Sequence, residues 1–91
     1  MEEEIAIAYR KLIEFNPRDL TWRDKLAEHH QKNGQNMECL MELDVIAGIY
    51  LEQKNYNKVI DTYKKMNKLE PGNEDIARAI AQVEKLAKER I

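Results

Sequence analysis

Pro17 and Pro71, which stand 54 positions apart, each end a segment with the same residue pattern. In both segments an aliphatic residue is followed four positions later by a tyrosine, and the proline comes at the same distance beyond it. The members of the pattern are Ile5, Tyr9 and Pro17 in the first segment and Val59, Tyr63 and Pro71 in the second. Self-similarity at a fixed offset is typical of repeat proteins, which present extended binding surfaces. The pattern therefore favours a repeat architecture and a binding role over catalysis.

Length and composition are those of one small helical unit. The chain has 91 residues, of which 35% are charged, and a net charge of −2. This balance gives no reason to expect a polyanionic partner, so we predict no nucleic-acid binding. No apolar run approaches the roughly 20 residues that span a bilayer, and we expect no membrane insertion. Three glycines and two prolines are too few for a loop-rich fold.

Apolar periodicity and chain breakers predict five helices and no strand. The predicted helices cover residues 3–15, 20–32, 36–53, 56–69 and 74–90. Asp19 and Asn73 are predicted N-caps, Gly34 is predicted to end the second helix, and Lys54 marks a turn that lacks the usual glycine. The apolar stripes are Ile5, Ala8, Tyr9, Leu12 and Ile13; Trp22, Leu26, Ala27 and His30; Cys39, Leu43, Ile46, Ala47 and Tyr50; Met37, Met41, Val45 and Ile49; Tyr56, Val59, Ile60, Tyr63 and Met66; and Ile76, Ile80, Val83, Leu86 and Ala87.

The helix over 36–53 carries two of these stripes, which predicts that it is sandwiched between neighbours. We therefore expect Met37 and Met41 in the core, the alternative being an adaptable contact surface. Gly48, inside the same helix, costs roughly 1 kcal/mol relative to alanine. It either leaves a gap for a partner side chain, or allows close helix packing, or is merely tolerated.

The single cysteine, Cys39, cannot form an internal disulfide, which favours a reducing compartment and a cytoplasmic location. We predict a buried, inert thiol there. His29 and His30 are adjacent and point about 100° apart on a helix, so they cannot chelate one metal ion. His30 is instead predicted to stand in for a core tyrosine. With no catalytic motif, metal site or cofactor motif, we predict that the chain is not an enzyme and holds no cofactor.

Residues of the third and fourth predicted helices resemble the tetratricopeptide repeat (TPR) family. The family pattern is a large apolar residue, x₂, Leu-Gly, x₂, Tyr in a first helix, then Ala-x₃-Phe and Pro in a second. The matching residues are Leu43, Ile46, Ala47 and Tyr50, followed by Val59, Tyr63 and Pro71. The pattern is matched more weakly by Leu26, Ala27 and His30, with Arg23 where an apolar residue is expected.

The resemblance implies an all-α fold: a right-handed TPR-like α-solenoid of five antiparallel helices with a long shared third helix. It implies a single domain over 1–91, in which 1–15 is the second helix of an incomplete repeat and 20–46 is a degenerate repeat. Residues 40–73 form the best-matching repeat, and 74–91 form a C-terminal capping helix. Shared helices of this kind are similar to those of larger bacterial TPR proteins.

In the TPR family, ligands contact the inward face of each first helix. The positions that carry over are Asp24, Glu28, Gln31, Lys32, Asp44, Gly48, Leu51, Glu52, Arg78, Gln82 and Lys85. The resulting groove is acidic on the second and third helices and basic on the fifth. A clamp for a C-terminal carboxylate is not expected, because Asp24 and Glu28 stand where the family clamp has Lys and Asn. The alternative is that these charges only solvate a surface.

The resemblance thus implies a scaffold or adaptor that binds a protein or peptide partner through this groove. The alternative is a structural module, or a fragment of a longer TPR scaffold, that self-associates. The first helix has no partner helix before it, so we expect Ile5, Leu12 and Ile13 to be partly bare. A bare helix of this kind favours a homodimer.

Overall fold

The computed structural model describes residues 2–89, which form five α-helices. They are α1 (Glu2–Phe15), α2 (Leu20–Lys32), α3 (Asn36–Glu52), α4 (Tyr56–Leu69) and α5 (Glu74–Glu89). No strand occurs within this range, so the predicted all-α class is confirmed. None of the described helices is both long and apolar enough to cross a membrane. The solenoid arrangement and its handedness stay predictions.

The chain divides into two compact units, of which unit 1 ends at Glu42 and unit 2 begins at Leu43. The boundary falls inside α3. In unit 1, α1 packs against α2, and in unit 2, α4 packs against α5. Each pair is joined by a short loop and forms an αα-hairpin. The single domain and its repeat boundaries, as predicted from the sequence, are not tested by this division.

The core of unit 1 is built from Ala6, Ile13 and Leu26, with Tyr9 and Trp22 packed against them. The Tyr9 and Trp22 rings stack with their centroids 6.2 Å apart. The predicted face of α1 was partly wrong. Ile13 is buried rather than bare, and Ala6 replaces the exposed Ala8 as the small core residue. The reason is that α2 covers a single side of α1, centred between Ala6 and Ile13.

The core of unit 2 joins three helices at Ala47, Val59 and Val83. Four partly buried side chains pack against it: Tyr50, Tyr56, Ile60 and Tyr63. These residues confirm the predicted stripe of α4 and the first predicted stripe of α3. Thr62, which the sequence pattern did not mark, is also buried, and its hydroxyl donates to the Lys58 carbonyl at 2.8 Å.

The second predicted stripe of α3 is not a core face. Met37 is 66% exposed, Met41 is 63% exposed and Val45 is also exposed; of this stripe Ile49 alone is buried. The buried side of α3 is the one that carries Cys39, Leu43 and Ile46. The core prediction for Met37 and Met41 is therefore wrong, and the alternative, an adaptable contact surface, stays a prediction.

The two proline loops share one hydrogen-bonding plan. Asp19 N donates to Asn16 O at 3.0 Å, and Asn73 N donates to Glu70 O at 3.3 Å. Asp19 Oδ1 then accepts from Thr21 N at 3.0 Å. Asn73 Oδ1 accepts from Asp75 N at 2.9 Å. Both predicted N-caps are confirmed, and the sequence repeat is reproduced in the backbone of the loops.

The loops on either side of α3 also match each other. Gly34, with a φ of 71°, ends α2, and Lys54, with a φ of 58°, ends α3. Behind Gly34, Gln35 N donates to His30 O at 2.8 Å; behind Lys54, Asn55 N donates to Tyr50 O at 2.9 Å. These bonds are the longer ones of a Schellman motif, in which a left-handed residue closes the helix. Lys54 therefore adopts the same left-handed conformation at the end of its helix as Gly34, although it is not a glycine.

Candidate interaction surfaces

The predicted groove positions on α2 lie at the surface of unit 1. Glu28, Gln31 and Lys32 are exposed, and Asp24 is half-buried. Their spacing along α2 places them within successive turns of one helix. This strip carries both signs of charge, with its acidic residues toward the start of the helix.

The predicted positions on α3 lie in unit 2 and are all exposed. Asp44 is near enough to α4 to affect Tyr63: burial, with a smaller contribution from the Asp44 charge, raises the pKa of the Tyr63 phenol. At Gly48 a Cβ would meet no other atom within 4 Å. Close helix packing is therefore not the reason for Gly48, while a gap for a partner and simple tolerance stay open. Leu51 and Glu52 complete this strip.

The predicted positions on α5 are Arg78, Gln82 and Lys85, and all are exposed. Arg78 is occupied by its own helix, because its Nη2 lies 3.0 Å from Asp75 Oδ1 and 4.0 Å from Glu74 Oε2. Exposed pairs of this kind add little stability. They do, however, offset the positive charge that the sequence assigned to this end of the groove. That the strips on α2, α3 and α5 form one groove stays a prediction.

Met37 and Met41, which were predicted to lie in the core, form an exposed apolar surface on α3 that we call the methionine patch. The two side chains are one helical turn apart on α3 and, as noted above, about two-thirds exposed. A signal for this surface exists in the sequence, since α3 carries apolar residues on two sides. Periodicity alone could not tell which side would be covered.

Unit 1 also contains an open cavity of about 330 Å³. Its lining residues are Glu3, Ala6, Ile7, Arg10, His30, Gln35 and Glu38. His30 is buried, as predicted for a residue in a tyrosine position, and its Nδ1 lies 2.8 Å from Gln35 Oε1. The sequence did not reveal the cavity, because the loop residue Gln35 and the side chains of α1 meet only in the fold.

Arg23, which departs from the TPR pattern, is explained by its contacts. Its Nε donates to Pro17 O at 3.1 Å, and its Nη1 lies 3.6 Å from Glu42 Oε1. Both side chains are mostly buried. Glu42 Oε1 is inaccessible and accepts no hydrogen bond, so the nearby guanidinium is what offsets its charge. A largely buried ion pair thus occupies the position where the TPR pattern has an apolar residue.

No group of three or more His, Cys, Asp or Glu side chains in residues 2–89 could hold a metal ion. Cys39 is buried, as predicted. No protein-family model, curated protein or solved structure matches the chain. The TPR resemblance accordingly stays a prediction that depends on the motif residues alone.

Proposed function

We propose that this chain is a protein-binding module with a scaffold or adaptor role. The observation that carries the proposal is the methionine patch. Exposed apolar side chains that lie side by side can mark a surface that a partner covers, and Met37 and Met41 are the two most exposed large apolar side chains of α3. Methionine is flexible and polarisable, so it suits a surface that adapts to a partner.

The predicted groove positions add a polar strip to each unit, which could serve the same role. Four acidic side chains at these positions would favour a partner with basic residues: Asp24, Glu28, Asp44 and Glu52. The proposal invokes no catalysis, metal or cofactor, because Cys39 is buried and no metal-ligand cluster occurs in the described range. It also invokes no nucleic acid, given the net charge of −2.

An affinity pull-down read by mass spectrometry tests the proposal. One variant replaces the patch by similar-sized polar residues (Met37→Gln with Met41→Gln), and a second replaces Asp24, Glu28, Asp44 and Glu52 by alanine. The matched control is Leu86→Gln, which replaces an exposed apolar side chain on a different helix, α5. We expect the patch variant to lose a partner that the wild type and the control retain. Equal recovery by all four proteins would contradict the proposal.

A further inference from the structure

The pattern that ends in Pro17 and Pro71 aligns α1 with α4 residue by residue. One face of the two helices behaves alike. Ala6 is buried and Tyr9 is half-buried in unit 1, and their counterparts Ile60 and Tyr63 are half-buried in unit 2. Each of these faces turns toward the core of its own unit.

The neighbouring face differs between the two helices. Val59 is 0% exposed and Met66 is 8% exposed in α4, whereas their counterparts in α1, Ile5 and Leu12, are 45% and 37% exposed. The other two pairs follow the same trend: Thr62 is buried and Leu69 half-buried, while Ala8 is exposed and Phe15 is 86% exposed. The open face of α1, defined as Ile5, Ala8, Leu12 and Phe15, is thus an uncovered copy of a covered surface.

Unit 2 shows what covers this surface when it is closed. Val59 belongs to one buried cluster with Ala47 of α3, and Tyr50 of α3 packs against that cluster. The surface of α4 around Val59 is therefore covered by a helix, α3, that contributes a small residue and, three positions later, an aromatic residue. The open face has the spacing to receive such a helix, since its members alternate three and four residues apart like the seam of a coiled coil.

We propose that the open face of α1 binds an amphipathic helix of a partner protein, with an alanine-sized residue and an aromatic residue placed as Ala47 and Tyr50 are in α3. This inference rests on the proposed protein-binding function and adds a site and a class of partner to it. A second copy of the chain is a poorer occupant, because its own Ala47 is 1% exposed and already in use. The mode is that of an apolar helix face laid along an apolar surface.

An extended chain tests the inference. A copy of residues 36–55, which comprise α3 and the loop after it, is placed directly before Glu2. Glu2 aligns with Tyr56, so the added helix and loop precede α1 as α3 and its loop precede α4. The link gives the added helix a high effective concentration at the open face. We expect the extension to raise the midpoint of thermal unfolding by about 5 °C or more, as burial of several apolar side chains would.

Two variants make the test specific. In Leu12→Glu, checked for unchanged helicity by circular dichroism, the extension should give no increase over its own unextended parent. In Ile7→Glu, which changes an exposed isoleucine of α1 outside the open face, the increase should remain. No increase in the wild-type background, or the same increase in Leu12→Glu, would overturn the inference.

Sedimentation of the unextended chain tests the other occupant. A dimer that Leu12→Glu converts to a monomer would overturn the partner-helix inference and assign the open face to a second copy. A monomer at all concentrations agrees with the inference. Because the methionine patch lies on α3, failure here would leave the pull-down result of the proposed function standing.

Discussion

The first hairpin, α1–α2, and the second hairpin, α4–α5, follow the same loop plan with different side chains. Both use a proline followed by a capping side chain, Asp19 in the first and Asn73 in the second. They differ in what covers their first helix. A face that is buried in α4, around Val59, is exposed in α1, around Ile5. A local pattern therefore builds the hairpin, and the neighbouring helix decides which of its apolar faces becomes a surface.

The largest effect is expected from the core of the first hairpin. Leu26 is almost fully buried between α1 and α2, so Leu26→Ala should cost about 2–5 kcal/mol of unfolding free energy. Urea unfolding gives the magnitude, and hydrogen exchange shows where stability is lost. We expect amides of α1 and α2 to lose more protection than those of α4 and α5. Equal loss in both hairpins would mean that the two units unfold as one.

A smaller effect is expected from Arg23, whose counterpart in the second hairpin is Ala77. Arg23→Met should cost about 1–3 kcal/mol, because it leaves Glu42 Oε1 buried without its guanidinium. Urea unfolding measures the cost. Adding Glu42→Leu should recover much of the loss, since two apolar residues can replace a buried ion pair. No recovery in the double variant would show that the bond to Pro17 O is the more important contact.

Lys54 and Gly34 allow a comparison of the two loops beside α3. Lys54→Gly should be more stable than Lys54→Ala by about 1 kcal/mol, because both lose the side chain and only glycine accepts a positive φ freely. Gly34→Ala should be destabilised by a similar amount. Thermal unfolding of the three variants decides the matter, and equal stability of the two Lys54 variants would contradict the expected strain.

The smallest effect is expected from the pH dependence of stability at the Asp19 cap. The hydrogen bond from Thr21 N to its carboxylate lowers the pKa of Asp19. The stabilisation from this cap is therefore present above the ordinary aspartate pKa of about 4 and is lost as the pH falls through the lower folded value. Asn73 does not titrate, so its cap persists. Comparing unfolding at pH 6 and pH 2.5, we expect Asp19→Asn to lose less stability on acidification than the wild type, and an equal loss would exclude a role for this cap.

The sequence predicts the local parts of the fold well. Helix limits, the Asp19 and Asn73 caps and the unusual turn at Lys54 depend on residues within a few positions of one another. The face that α1 buries, the exposure of Met37 and the cavity lined in part by His30 depend on distant segments, so periodicity could not predict them. Arg23 was visible as a departure from the pattern, but its partner Glu42 was not. The candidate groove residues are exposed as predicted, except for the half-buried Asp24, and their joint role stays a prediction.

Three methionines of the described helices have the same chemistry at sites of different exposure, so their reactivity reports directly on which faces are covered. Met37 and Met41 form the proposed binding patch on α3, and Met66 lies on the covered face of α4. Limited oxidation by hydrogen peroxide, followed by peptide mass spectrometry, gives a rate for each residue. We expect Met37 and Met41 to oxidise much faster than Met66, which is 8% exposed. Equal rates at the three residues would contradict both the exposed patch and the covered face.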